Sequence, residues 1–250
     1  MIQKINLLNF NIVDTTLQSC VDDVLKHLLV GEGIRTLACI NPHSYVVSKS
    51  DPIFRESLMK CDYILPDGVG IVLASFLLRK TINNRLTGPD FFRSLISELN
   101  LKKNISVFFL GSTPETLNNI KLKLSRDYQN VKFGGAYSPP FKTDLEPDDV
   151  TKIINVVNQS KCNVLFIGLT APKQEKLMKV ISERVNVNFI ACIGAEFDYF
   201  GETIKRPPQF ISNIGLQWVQ RLISQPRKIW RRVFISGAIF IKDVIREAIS

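Results

Sequence analysis

Apolar runs punctuated by turn residues set the rhythm of this chain. Runs at 2–8, 35–40, 63–65, 107–110, 164–167 and 188–193 each stop at a Gly, Pro, Asn or Asp. Runs this short, bounded by such residues, predict buried strands. Between them lie segments with helical spacing. One helix is expected over 15–30 with Asp14 or Thr15 as its cap, one over 71–79, and one from Pro89 to about Leu101. Asn41 precedes Pro42, which suits a first helical turn, so Asn41 is expected to cap the segment that follows. Ser112-Thr-Pro-Glu115 matches a capping box, and Pro172 again places a proline near a helix start. A further strand is expected over 131–135, before a proline-rich loop at 137–147. Strands and helices that alternate in this way predict an α/β fold with a mostly parallel sheet and helices on both faces. After Asp198 the texture changes to a basic, helical stretch that holds both tryptophans. The chain therefore divides into an α/β domain, 1–200, and a helical appendage, 201–250.

In a parallel sheet, Asn41, Asp67, Ser112, Thr113, Gln174 and Asp198 all fall on loops of one rim, where open α/β sheets bind ligands. Asp67 stands between a strand ending in Pro66 and the turn Gly68-Val-Gly70, and Gly68 lets the backbone turn tightly there. An aspartate before glycine is also an ordinary turn or cap residue, and the rim as a whole carries the argument. Gly111, followed by Ser112 and Thr113 at a helix start, offers backbone N–H groups and a positive dipole end to a diphosphate, or forms a plain strand–helix turn. Gln174 falls in a first helical turn facing the rim, where it is either a site residue or solvated.

Composition narrows the chemistry. The 250 residues are 45% hydrophobic and 22% charged, which is globular, and no apolar run approaches a membrane span. Residues 1–10 are too broken by polar side chains for a signal-peptide core. Five scattered cysteines without a Cys-x-x-Cys suit a reducing cytoplasm, and two histidines disfavour a His-rich metal site. Gly68-Val-Gly70 lacks the third glycine of a dinucleotide fingerprint, which disfavours a nicotinamide enzyme. There is no Asp-x-Asp pair to hold a divalent metal, so arginines and helix dipoles are expected to meet the charge of a departing diphosphate. The net charge is +9, and residues 201–250 hold nine Lys/Arg against three Asp/Glu. Such a tail meets a polyanion, whether nucleic acid, anionic lipid or a phosphorylated substrate. Arg227 and Arg231 recur at helical spacing there, either as an anion clamp or as a solvated face. Projected as one helix, Trp230, Val233, Phe234, Gly237, Ala238, Ile241, Val244, Ile245 and Ala248 form an apolar stripe.

The ordered set Cys39-Ile-Asn41-Pro-His43, Pro66-Asp-Gly-Val-Gly70, Leu86-Thr-Gly-Pro-Asp90, Gly111-Ser-Thr113, Gly168-Leu-Thr-Ala-Pro-Lys-Gln-Glu175 and Gly194-Ala-Glu-Phe-Asp198 resembles the bacterial WecG/TagA/CpsF glycosyltransferases. Arg206-Pro-Pro, Gly215-Leu-Gln-Trp-Val-Gln-Arg221-Leu and Pro226-Arg227 extend the resemblance into the tail. It implies a Rossmann-like, cytoplasmic enzyme, peripheral on the inner face of the membrane. Such an enzyme moves N-acetylmannosamine or its uronic acid, with inversion, from UDP to polyprenyl-diphosphate-linked N-acetylglucosamine in cell-surface polysaccharide or teichoic acid synthesis. Neither cofactor nor metal is expected, nucleic acid is not a partner, and a homo-oligomer is compatible with the family.

On this resemblance Asp67 is the general base, and Asn41, Gln174 and Arg221 match the family's other catalytic positions. Cys39, His43, Gly68, Gly111, Ser112, Thr113, Asp198, Arg227 and Arg231 are expected to bind substrate. Two departures stand out: Cys39 replaces the family's common threonine, and Gln217 its usual glutamate. Cys39 bears on which sugar is taken. Two rival readings keep different features: a non-catalytic basic docking module needs no strand-end carboxylate, and an enzyme on a soluble nucleotide sugar needs no basic appendage.

Overall fold

The computed structural model describes residues 2–31, 33–102, 104–142, 144–204 and 230–249. Five of the apolar runs, with the further strand expected at 131–135, become β3 (Arg35–Ile40), β4 (Tyr63–Pro66), β5 (Ser106–Gly111), β6 (Lys132–Tyr137), β7 (Val164–Gly168) and β8 (Phe189–Cys192). They form one sheet in the order β4-β3-β8-β7-β5-β6, and every neighbouring pair is parallel. Buried strands of this kind need apolar side chains on both faces, which is why they read as continuous runs. Alternate residues serve two cores. Ile40, Ile64, Leu110, Ile167 and Cys192 face one, and Leu37, Leu65, Phe109, Phe166 and Ala191 the other.

Helices cover both faces. α2 (Pro42–Ser50), α3 (Pro52–Met59), α4 (Val69–Leu77), α7 (Pro147–Ser160) and α8 (Lys173–Ile181) cover the first core. α1 (Leu17–Val30), α5 (Gly88–Leu101), α6 (Pro114–Asp127) and α9 (Glu196–Phe200) cover the second. There Phe92 meets Phe166 edge-on, with ring centroids 4.8 Å apart.

Several boundaries differ from the sequence reading, each for a local reason. The run at 2–8 is β1 (Lys4–Leu7), and an unforeseen β2 (Phe10–Val13) returns antiparallel to it. Leu8 and Asn9 make the two-residue turn with φ of 52° and 66°, a geometry that a leucine does not announce. α1 is capped by Thr16, whose side chain accepts from the Ser19 N–H, because Asp14 instead accepts from the backbone and amide of Asn83. α4 begins at Val69, two residues before the expected start, with Gly68 at its cap. α5 starts at Gly88 behind the Thr87 cap, one residue before Pro89.

After a π-helical turn, Arg231–Ile235, the C-terminal helix Ser236–Ile249 packs on α2 and α4. It buries Ser236, Phe240 and Val244, with Phe240 edge-on to Tyr45 and Asp243 bonded to Lys49 and the Tyr45 hydroxyl. The projected stripe is corrected here. Phe240, outside it, is buried, whereas Trp230, Phe234, Ile241 and Ile245 lie 46–58% exposed. A π turn takes an extra residue, so one α-helical projection across it loses register. Among the described residues no helix is long and apolar enough to cross a membrane.

Candidate active site

The rim at the strand C-termini gathers the predicted residues in two adjoining groups. β3 and β4 run in register, Ile40 beside Pro66, and the Asp67 N–H extends that ladder to the Ile40 carbonyl at 2.8 Å. Asn41 and Asp67 therefore leave the sheet side by side, one strand spacing apart. Asn41 caps α2 as the sequence predicts. Its Oδ1 accepts from the Ser44 N–H at 2.9 Å, while its own N–H donates to Ser44 Oγ. Because the cap occupies Oδ1, Nδ2 is the donor that Asn41 can offer a substrate. Gly68 follows Asp67 at φ 97°, and a Cβ there would touch nothing, so the need for glycine is conformational.

Cys39, on the same strand end, is partly exposed as a residue, while its thiol is driven well above the usual range by burial, then by the charges of Asp67 and Glu175. It stays a protonated thiol. Its sulfur lies against α5, where a Cβ on Gly88 would come within 3.0 Å of it.

The second group lines a cavity of about 470 Å³. The ends of β5 and β7 approach so closely that a Cβ on Gly111 would sit 2.5 Å from the Gly168 carbonyl oxygen. Beyond Gly111, Ser112 takes φ 55°, and Thr113 rather than Ser112 caps α6, accepting from the Thr116 N–H. The cap is thus shifted by one residue, and the expected box with Glu115 does not form. The shift leaves the Ser112 hydroxyl to donate to Asp198 Oδ1 at 2.8 Å, joining two predicted site residues across the cavity wall. Phe141, wholly exposed, and Lys173 line the same cavity.

The remaining predicted residues are His43, Gln174 and three arginines of the tail. His43 lies outside this cavity lining and binds Ser236 Oγ through Nδ1 at 2.9 Å, tying α2 to the C-terminal helix. Gln174, expected to face the rim, is 5% exposed. Its Oε1 accepts from the Gly194 N–H at 3.0 Å, and its Nε2 donates to Glu175 Oε1 at 2.8 Å. Arg221 and Arg227 lie outside the described residues, and of Arg231 only the backbone, at the start of the π turn, is described.

Sequence reasoning missed Glu175, because an acid in a first helical turn reads as a solvated partner of the dipole. It is 2% exposed, and burial raises its carboxyl to about 7, against the opposing hydrogen bonds from Gln174 and its own backbone. An acid raised from 4.5 in this way stabilises the fold fully only below about 4.5, and that share is lost as pH climbs through about 7. Replacing Glu175 with methionine should accordingly stabilise the protein more at pH 8 than at pH 4.5, by about 3 kcal/mol between the two. Denaturant unfolding of both proteins at each pH measures it, and an equal difference at both pH values contradicts it.

Comparison with known proteins identifies relatives along nearly the whole chain. Over 239 residues the chain is 27% identical to an N-acetylglucosaminyldiphosphoundecaprenol N-acetyl-beta-D-mannosaminyltransferase of Bacillus subtilis (strain 168), covering 96% of this chain and 90% of that protein. A protein of the same name from Bacillus spizizenii (strain W23) is 29% identical over 235 residues, covering 92% of this chain and 86% of the relative. The sequence profile of the glycosyl transferase WecG/TagA/CpsF family matches residues 5–250. With the match running through both the strand-end rim and the C-terminal helix, the chain belongs to the WecG/TagA/CpsF family of glycosyltransferases.

Proposed function

We propose that this protein transfers N-acetylmannosamine, or its uronic acid, from UDP to N-acetylglucosamine carried on polyprenyl diphosphate, inverting the anomeric centre. The observation that carries the reading is the pairing of Asp67 with Asn41 at the strand ends, next to a cavity of nucleotide size. The names of the two Bacillus relatives supply the acceptor and the sugar. In this reaction the acceptor hydroxyl attacks the anomeric carbon and gives its proton to the Asp67 carboxylate. The bond from that carbon to the UDP oxygen breaks, and its electron pair leaves with UDP. Asn41 Nδ2 orients the sugar or the attacking hydroxyl, the start of α6 beside Ser112 holds the diphosphate, and Arg221 meets its growing charge.

The chemistry runs without a divalent metal. Supporting this is the missing Asp-x-Asp, the carboxylate pair that would hold such an ion. The protein works on the inner membrane face, where the basic tail and the exposed Trp230, Phe234 and Ile241 meet anionic lipid.

A donor screen tests the reading. Purified protein, a short-chain lipid-diphosphate N-acetylglucosamine acceptor and a panel of UDP-sugars should yield a product heavier by one N-acetylhexosamine or its uronic acid. Turnover should persist in excess chelator. No product from any UDP-sugar overturns the transferase reading, and a chelator loss restored by Mg²⁺ or Mn²⁺ overturns metal independence.

A further inference from the structure

Beneath the rim, Glu175 combines features that packing alone does not explain. It sits at the edge of a core where the thiols of Cys61 and Cys192 feel its charge, as does that of Cys39. Its Oε1 accepts from Gln174, while its Oε2, fully buried, has no hydrogen-bond partner among the described residues. A buried carboxyl with one orphaned oxygen is a burden on stability, and a methionine would fill the same space without it. Residues that break a packing rule in this way gather at sites where function needs them.

What the carboxyl does is legible in the hydrogen bonds around it. The Gln174 amide has two orientations that differ by exchange of Oε1 and Nε2. Only one satisfies both neighbours, because the Gly194 N–H requires an acceptor and the Glu175 carboxylate requires a donor. Gly194 lies at φ 61°, and the turn it opens carries Ala195 and Asp198 into the cavity wall, where Asp198 takes the Ser112 hydroxyl. A chain of direct contacts thus runs from the core to the cavity: Glu175, Gln174, the Gly194 turn, Asp198 and Ser112.

We propose that Glu175 is a positioning residue for sugar transfer, whose buried carboxyl locks the Gln174 amide onto the Gly194 turn and so holds the wall of the donor cavity in its binding shape. Glu175 touches no substrate. It acts through Gln174, and the kinetic part of its role rests on the transferase reading above.

Two variants of the full chain separate this role from plain packing. Glu175→Met keeps the volume and removes the acceptor, whereas Glu175→Gln keeps an acceptor oxygen for Gln174 Nε2. Glu175→Met should raise the donor KM about tenfold or more with kcat changed less than about threefold, without lowering Tm. Amide exchange at Gly194 should quicken about tenfold in the same protein. Glu175→Gln should stay within about threefold of wild type in both measurements. An unchanged Gly194 rate in Glu175→Met overturns the proposal, as does an unchanged donor KM, or Glu175→Gln failing as badly as Glu175→Met. If wild type turns over no UDP-sugar, the transferase reading falls by itself, and the Gly194 exchange rate still decides whether Glu175 holds the turn.

Discussion

Asp67→Asn should slow sugar transfer by about 10²–10⁴-fold, the share that a positioned base contributes to a proton-coupled attack. Asparagine keeps the size and one acceptor oxygen but cannot take a proton at neutral pH. The exchange keeps the backbone N–H that Asp67 donates to Ile40, which continues the β3–β4 ladder. Gly68 keeps its left-handed turn, and Asn41 keeps its cap on α2. The expected pattern is therefore a large fall in kcat with Tm and UDP affinity near wild type. A purified variant that turned over within a few-fold of wild type would remove Asp67 from the role of base.

The second large effect concerns the tail. Deleting everything after Thr203 should abolish both sedimentation with anionic liposomes and transfer to a lipid-linked acceptor. The deletion removes most of the basic excess, and each such residue near an anionic surface adds about 1 kcal/mol to binding. It also removes Phe240 and Val244 from the core, so some loss of stability accompanies it. A gentler variant isolates the surface effect. Phe234→Ser with Ile241→Ser alters two residues that are 56% and 58% exposed and leaves the buried row of the helix intact. This double variant should keep its Tm and lose most of its liposome binding, with the remainder vanishing as salt is raised. Full liposome binding and activity in the truncated protein would show that the appendage is neither anchor nor part of the site.

Much of the rim could be read from sequence because its signals are local. Asn41 before Pro42 announces a cap, Asp67 follows a run that stops at Pro66, and a glycine ends β5 and β7. Where two signals compete side by side, sequence reading picks the wrong one. Ser112 and Thr113 both suit a cap, and only the backbone at Ser112, turned to φ 55°, hands the role to Thr113. The β1–β2 hairpin was hidden because its turn uses Leu8, a residue with no turn chemistry. Burial of polar groups is the least legible of all. Gln174 and Glu175 look like solvated residues of a first helical turn, and they are buried because β8 and its loop close over them, a contact that no nearby residue encodes.

The join between α2 and the C-terminal helix ties the outer surface of the molecule to the strand-end rim. Asn41 sits at the first turn of α2, and His43, Tyr45 and Lys49 of that short helix bond to Ser236 or Asp243 on the other. These contacts are direct, from side chain to side chain. The helix that presents Ile241 and Ile245 to the outside is therefore bolted to the one that Asn41 caps. A displacement of the outer helix would carry the Asn41 cap with it, as a lever moves its far end.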